Sequence, residues 1–240
     1  MIRLAHVSDT HRNQVDLADY PGYVIHTGDF TDSGSPREYD ELLRAVEGYA
    51  DKLIPVPGNH DTARLGIFDS EGAARRFDQF LARIHGVQAH RYFDKAPMIR
   101  RLAVDGAQAT VIGLNSCAMT ASPHDLAEGE IGREQRDALD RALTEARGNG
   151  PVILALHHHP FLHSYSMLLA DAEELGWIIE GRVDVLLFGH HHHPGRWSGR
   201  LGIPHTLAAD DSSRTGWARE ITIAPGGAIN VSPMRVTCGK

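Results

Sequence analysis

Five short apolar segments of this chain each end in aspartate, asparagine or histidine. In chain order, the endings read Ser8-Asp9-Thr10-His11, His26-Thr27-Gly28-Asp29, Pro57-Gly58-Asn59-His60-Asp61, His157-His158-His159-Pro160 and Gly189-His190-His191-His192. Short apolar runs bounded by turn residues are typical of buried strands. In an open α/β sheet, ligands lie beyond the carboxyl ends of the strands. The pattern therefore predicts strands whose ends bring these side chains to one site.

The rest of the chain alternates short apolar runs with longer amphipathic segments, which is typical of an α/β fold. The predicted strands are Ile2–Val7, Tyr23–His26, Leu53–Val56, Met98–Val104, Thr110–Leu114, Val152–Leu156 and Val183–Phe188. The predicted helices are Pro36–Tyr49, Gly72–Ile84, Arg133–Ala146 and Met167–Glu180. The first helix begins with a sequence typical of a capping box, in which Ser35 and Glu38 accept each other's backbone N–H groups. From about residue 197 we expect strands without intervening helices, within a single domain of residues 1–240.

The types of side chain at these endings indicate a metal site. The chain has 16 histidines, and nine of them lie between residues 157 and 205, mostly in internal runs unlike a terminal tag. Imidazole together with carboxylate and amide oxygen favours manganese, iron or zinc. Seven of the side chains at these endings are candidate ligands, which is too many for one ion. The number suits two ions that share a carboxylate, and two-ion sites are common in enzymes that hydrolyse phosphate esters. The pairs Asp9/His11 and His190/His192 would each project to one side if the backbone is extended.

Charge and composition exclude several classes of protein. A net charge of −7 argues against a general duplex nucleic-acid-binding face, which requires a basic surface. No apolar stretch approaches the roughly 18 residues of a membrane span, and the first residues do not resemble a secretory signal. Two cysteines cannot form a disulfide framework, so we expect a cytoplasmic protein.

The five endings, in this order, resemble the calcineurin-like metallophosphoesterases. The matching residues are Asp9-x-His11, Gly28-Asp29, Gly58-Asn59-His60-Asp61, His157 ahead of Pro160, and Gly189-His190-x-His192, so that the resemblance spans residues 4–192. The stretches at residues 28–34 and 156–161 most resemble the class III branch, which contains cyclic-nucleotide phosphodiesterases and glycerophosphodiesterases.

The resemblance implies a four-layer α/β/β/α sandwich and a role for each matching residue. Asp9, His11 and His192 would bind one divalent transition-metal ion. Asn59, His157 and His190 would bind the other, and Asp29 would bridge the two ions. A metal-bridging hydroxide would attack the phosphorus of a small-molecule phosphodiester. His60 would bind the phosphate or donate a proton to the leaving oxygen, and the resemblance also allows a homodimer.

Several alternatives stay open at the level of sequence. A phosphomonoesterase of the same fold, a nuclease for short single strands and a metal-binding interaction module without turnover each fit part of the pattern. His191 and His193 compete with His190 and His192 as ligands. We expect Asp61 to make structural hydrogen bonds rather than to bind metal. The loops at residues 63–74, 120–132 and 163–167 would decide the substrate.

Overall fold

A computed structural model of the chain describes residues 1–64, 68–69, 71–117, 127–161 and 167–238. Its strands are β1 (Ile2–Val7), β2 (Val15–Asp16), β3 (Tyr23–His26), β4 (Leu53–Pro55), β5 (Ala63–Arg64), β6 (Phe68–Asp69), β7 (Met98–Val104), β8 (Ala107–Gly113), β9 (Val152–Ala155), β10 (Val185–Phe188), β11 (Gly195–Trp197), β12 (His205–Ala208), β13 (Trp217–Ile223), β14 (Ile229–Arg235) and β15 (Thr237–Cys238). Its helices are α1 (Pro36–Val46), α2 (Asn59–Thr62), α3 (Glu71–His85), α4 (Arg133–Ala146), α5 (Ala172–Ile179) and α6 (Ser212–Thr215), with 3₁₀ turns at Glu47–Lys52 and Tyr92–Asp94. Parts of the three loops expected to decide the substrate lie outside the described residues.

Most of the strands form two sheets. The first has the order β14-β13-β1-β3-β4, in which β1, β3 and β4 are parallel and the β13–β14 hairpin adds antiparallel strands beside β1. The second has the order β11-β12-β10-β9-β8-β7, in which the four central strands are parallel and the two outer strands are antiparallel to their neighbours. The five segments that carry the candidate ligands are β1, β3, β4, β9 and β10. All of them are parallel strands, so their carboxyl ends share an edge within each sheet.

The two sheets pack against each other, and helices cover their outer faces. In β9, Ile153 belongs to the core that the two sheets share, whereas Leu154 belongs to a second core, together with Leu139 of α4. This alternation follows from the period of two along a strand. Tyr39 of α1 and Phe80 of α3 extend the core on the side of the first sheet. The expected four-layer α/β/β/α sandwich is therefore confirmed.

All four predicted helices are present, and three of them differ in length from the prediction, α3 by only one residue at each end. The helix Arg133–Ala146 has its predicted bounds. The capping box of Ser35 and Glu38 is formed, but α1 ends at Val46 and continues as a 3₁₀ turn. The segment predicted as Met167–Glu180 is helical only over Ala172–Ile179, because residues 168 and 170 exchange backbone hydrogen bonds with Gly129 instead.

The carboxyl-terminal part contains one helix that was not predicted. The short helix α6 separates β12 from β13, and its N-cap Asp211 accepts a hydrogen bond from the backbone N–H of Arg214 at 2.9 Å. The expectation of strands without helices was therefore wrong at this point, where an aspartate followed by two serines gave an N-cap signal. Among the described residues, no helix has the length and apolar character needed to cross a bilayer.

Candidate metal centre

The carboxyl ends of the five strands bring the predicted ligands together in two overlapping groups. Asp9, His11, Asp29 and His192 form the first group, and Asp29, His157 and His190 form the second. Within each group, one ligand atom of every residue lies within 4.8 Å of the others. Asn59 adjoins the second group, since its Oδ1 lies 2.9 Å from Nε2 of His157. Asp29 is common to both groups.

Asp29 is buried where the two groups meet. Its Oδ2 lies 3.3 Å from Nε2 of His157 and 3.8 Å from Nε2 of His11. Its Oδ1 accepts a hydrogen bond from the backbone N–H of His60 at 3.0 Å. Burial alone would raise the pKa of Asp29, but His157, and then His60 and His11, hold that pKa well below its usual value. The carboxyl group is therefore an anion that can face two cations.

The backbone of the loop after β3 orients the ring of His157. Nδ1 donates to the carbonyl oxygen of Thr27 at 2.7 Å, and this turns Nε2 toward Asp29, Asn59 and His190. Burial lowers the pKa of His157, but the attraction of Asp29 outweighs it and raises the pKa to about 9. With Nδ1 donating, loss of the Nε2 proton would leave a lone pair at Nε2, which is the form in which histidine binds metal.

The first group is supported by the loop after β10. The backbone N–H of His190 donates to both carboxylate oxygens of Asp9, each at 3.1 Å. Nε2 of His192 lies 3.3 Å from Oδ1 of Asp9 and 3.3 Å from Nε2 of His11. Together with Asp29, two imidazole nitrogens and two carboxylates thus face one small volume. A divalent cation there would satisfy all four donors, so the donor set fits a transition-metal ion.

Five of the predicted ligands have left-handed backbone conformations. The φ angle lies between 41° and 74° at Asp9, His11, Asp29, His190 and His192. The premise that the pairs two residues apart lie on extended backbone was therefore wrong. The chain turns sharply after each strand, and His190 and His192 reach different groups as a result. Such conformations cost about 1–3 kcal/mol each in residues other than glycine, and they cluster at functional sites.

Two glycines allow the turns to approach the ligands closely. A Cβ atom at Gly58 would lie 2.2 Å from the backbone nitrogen of Asp29. A Cβ atom at Gly189 would lie 2.5 Å from Oδ2 of Asp9. Both distances are below van der Waals contact, so any larger residue would displace a candidate ligand.

His60 borders an open cleft of about 360 Å³, which is also lined by candidate ligands of both groups. Its Nδ1 donates to the carbonyl oxygen of Asp32 at 2.7 Å, and its ring packs edge-on against His11 with 4.9 Å between centroids. Nε2 is therefore the ring atom left to contact a molecule in the cleft. A cationic His60 would donate from this atom, and a neutral His60 would accept at it.

Asp61 and three histidines near the site belong to neither group of candidate ligands among the described residues. The carboxylate of Asp61 accepts hydrogen bonds from three backbone N–H groups and so ties the loop after β3 to the loop after β4. The ring of His158 packs on the ring of His190, with 4.4 Å between centroids. His191 and His193 line the cleft but belong to neither group of candidate ligands among the described residues.

Two residues that sequence analysis did not single out orient the ligands. Oγ of Ser116 accepts hydrogen bonds from the backbone N–H groups of His157 and His158, at 3.2 and 3.1 Å. Oδ1 of Asp32 lies 3.3 Å from Nδ1 of His11. A lone serine after a strand carries no sequence signal. Asp32 lies three residues after a predicted ligand, and that spacing could have indicated it.

Comparison with known proteins matches the part of the chain that carries the candidate ligands. A sequence model of the calcineurin-like phosphoesterase family matches residues 2–194, a range that includes every candidate ligand. The chain belongs to the calcineurin-like phosphoesterase family. As a calcineurin-like phosphoesterase, it is a metal-dependent phosphohydrolase, in agreement with the two groups of candidate ligands.

Individual relatives of this calcineurin-like phosphoesterase carry more specific names. A probable cyclic nucleotide phosphodiesterase of Rhodopseudomonas palustris is 27% identical, over 86% of this chain and 70% of that protein. A cAMP/cGMP dual specificity phosphodiesterase of Mycobacterium tuberculosis is 28% identical, over 93% of this chain and 70% of that protein. Among solved structures, a dimetal phosphatase from Danio rerio gives a TM-score of 0.66 at 12% identity over 99% of both chains. At that identity, the structural likeness shows the fold alone.

Proposed function

We propose that this calcineurin-like phosphoesterase hydrolyses phosphodiesters, with cyclic nucleotides as the first choice of substrate, and that it uses two divalent ions. The observation that carries the proposal is that Asp29 belongs to both groups of candidate ligands. A carboxylate shared in this way is typical of a two-ion site. The names of the relatives from R. palustris and M. tuberculosis support cyclic nucleotides over glycerophosphodiesters.

In this proposal, each ion has its own ligands and Asp29 lies between them. Asp9, His11 and His192 hold one ion, and Asn59, His157 and His190 hold the other. The mixture of imidazole, carboxylate and amide oxygen fits manganese, iron or zinc. When bound, the ions would supply the positive charge that activates water and polarises the phosphoryl oxygens. The carboxylates of Asp9 and Asp29 offset part of that charge, and the surplus favours an anionic phosphate in the cleft.

His60 is the residue that we propose acts on the substrate directly. Its Nδ1 is engaged with the carbonyl oxygen of Asp32, and its backbone N–H is fixed by Asp29, so the ring has a defined orientation. Nε2 then contacts the phosphate or donates a proton to the leaving oxygen. A positioned proton donor contributes about 10²- to 10⁴-fold to a rate. We expect His60→Ala to lower kcat by such a factor while the number of bound ions is unchanged.

Counting bound metal tests the ligand assignment. We expect the purified wild-type chain to bind two equivalents of manganese or zinc, His192→Ala to bind one, and Asp29→Ala to bind fewer than two. His193→Ala is the matched control, because His193 is exposed and adjoins His192 without belonging to either group of ligands. Two ions retained in Asp29→Ala, or equal losses in His192→Ala and His193→Ala, would show that the assignment is wrong.

A substrate panel tests the reaction. The manganese-loaded chain is assayed with cyclic AMP, cyclic GMP, a glycerophosphodiester and p-nitrophenyl phosphate, and the chelator-treated chain serves as the blank. We expect the highest kcat/KM on a cyclic nucleotide and no turnover without metal. A preference for the monoester would identify a phosphomonoesterase. Two bound ions without turnover of any of these substrates would leave the interaction module or a nuclease for short single strands.

Three further features belong to the same proposal. Cys117 and Cys238 are not joined by a disulfide bond, which supports a reducing, cytoplasmic location. We propose that residues 1–240 act as one domain on a small-molecule phosphate ester, without binding duplex nucleic acid. We also propose a homodimer, which light scattering of the metal-loaded chain tests.

A further inference from the structure

A second cavity, of about 170 Å³, lies between the two sheets and shares no lining residue with the metal cleft. Its walls come from the first sheet at His6, Arg219 and Pro233, and from the residues flanking β11 and β12 at Pro194 and Ala209. In the strand register, Arg219 is the direct partner of His6 on one side and of Pro233 on the other. Directly paired residues project to the same face of a sheet, so these three side chains form one continuous wall.

Arg219 is half-buried in this wall and has no acidic partner. Its Nη2 donates to the carbonyl oxygen of Gly195 at 3.1 Å. Among the described residues, no carboxylate oxygen lies within 4.0 Å of a guanidinium nitrogen of Arg219, which is the limit for an ion pair. Burial, together with repulsion from Arg196, lowers the pKa of Arg219, and the attraction of Asp210 offsets this only in part. A guanidinium has five N–H donors, so most of its hydrogen-bonding capacity remains beside the cavity.

A second arginine of the same strand pair has the acidic partner that Arg219 lacks. Arg3 of β1 is also half-buried, and it forms an ion pair with Glu220 of β13 at 2.6 Å. Partly desolvated charges are usually compensated by such a pair, because an uncompensated charge costs free energy. The surroundings of Arg219 therefore fit an anion supplied from outside the chain.

The remainder of the cavity wall is mostly apolar, with Asp210 and Ser212 as its other polar residues. Pro194, Pro233, Ala209 and the partly exposed Trp217 contribute non-polar surface. The ring of His6 is buried, with Nε2 3.0 Å from Oγ1 of Thr27 and without a hydrogen-bond partner at Nδ1. The volume is comparable with the roughly 150 Å³ of an engineered protein cavity that binds benzene. A flat group of that size, carrying one anionic substituent, matches both the apolar wall and the arginine.

We propose that this cavity is a binding site for a small organic anion with a flat apolar body, such as an aromatic carboxylate, whose anionic group pairs with Arg219. The site is distinct from the phosphate-binding cleft, and the proposal does not depend on which phosphate ester the metal centre hydrolyses. A carboxylate and a guanidinium form two parallel charge-assisted hydrogen bonds, which fix the orientation of the ligand. The aromatic body would then lie along the wall of proline and tryptophan.

Titration with benzoate tests the proposal. Binding is measured by ligand-observed NMR and by calorimetry, with zinc-loaded and chelator-treated chain in parallel. We expect saturable binding in both forms, since the cavity contains no candidate metal ligand. Arg219→Gln should weaken binding about tenfold or more, because it removes the charge-assisted pair. Arg37→Gln, on the exposed face of α1, is the control for the loss of one positive charge.

A second variant separates loss of binding from loss of structure. Ala209→Met fills the cavity without changing the charge, and it should also abolish benzoate binding. Arg219→Gln removes a poorly compensated charge, so its thermal unfolding midpoint should equal or exceed that of the wild type. The proposal is overturned if benzoate does not bind, if it binds only to the zinc-loaded form, or if Arg219→Gln binds it as well as Arg37→Gln does.

Discussion

Metal binding should release protons, and the structure gives their approximate number. In the metal-free chain, the pKa of His157 is raised to about 9, so at pH 7 nearly every His157 carries a proton that a metal ion must displace from Nε2. This residue alone contributes about one proton. Asp29, with its lowered pKa, is already ionised, and His190, with its lowered pKa, is already neutral. Asp61, whose pKa burial and Asp29 raise to about 7, and His192, whose pKa the hydrogen bond with Asp9 raises, each add at most one proton.

Calorimetry in two buffers of different ionisation enthalpy measures this number. We expect between one and three protons per fully loaded chain at pH 7, and clearly fewer at pH 9.5. The affinity for zinc at the second group should therefore rise about tenfold per pH unit between pH 7 and 9. His157→Gln lacks the titrating ring and should lose this slope. Release of fewer than about 0.3 protons at pH 7, or an affinity independent of pH, would refute the charge assignment of His157.

The same shift predicts how pH affects the stability of the metal-free chain. The pKa of His157 is higher in the folded chain than its unfolded value of about 6.5, so the protonated ring stabilises the fold. This contribution is fully present below about pH 6.5 and is lost as the pH rises through about 9. A pKa shift of this size contributes about 3 kcal/mol to the free energy of unfolding. Buried histidines with lowered pKa values, such as His6 and His158, act in the opposite direction, so the contribution of His157 is the difference between wild type and His157→Gln. Urea unfolding of both chelator-treated chains at pH 6 and 9.5 measures it, and an equal pH dependence of the two would contradict the assignment.

Three further substitutions test other parts of the structure. Ser116→Ala removes the acceptor of the backbone N–H group of His157 and should weaken zinc binding about tenfold, as measured by competition with a chromogenic chelator. Asp32→Ala removes the carboxylate beside Nδ1 of His11 and should weaken binding about 10- to 100-fold in the same titration, whereas an unchanged affinity would deny Asp32 an orienting role. Leu139→Ala empties a fully buried position between α4 and the second sheet and should lower the free energy of unfolding in urea by about 2–5 kcal/mol.

Much of the fold could be predicted because pattern and packing agree. The helix Arg133–Ala146 places Leu139 and Leu143 four residues apart on one buried face, and its bounds were predicted correctly. The segment Met167–Glu180 has a comparable apolar content, yet its first residues pair with Gly129. That pairing joins residues about 40 positions apart in the sequence. Local periodicity contains no information about such a partner.

At the candidate site, the choice of residues could be predicted, but their backbone could not. Apolar runs that end in aspartate or histidine predicted which side chains meet, since parallel strands share an edge. The left-handed turns at Asp9, Asp29 and His190 have no comparable signal. Aspartate and histidine adopt this conformation more readily than most residues, but not often enough for a prediction. Such turns are required only because several strand ends meet in one small volume.

The buried carboxylates connect the stability of the fold with its chemistry. Asp9 is fully buried and Asp29 is 2% exposed, and burying an ion without compensation costs several kcal/mol. In the metal-free chain, the proton on His157 offsets one of these charges, and backbone N–H groups of His190 and His60 stabilise the carboxylates. On the proposed ligand assignment, a divalent ion would replace a proton at an arrangement that is already held in place. Proton and metal would then compete for the same ring nitrogen, and the strength of that competition would measure how closely the metal-free site is built for its ions.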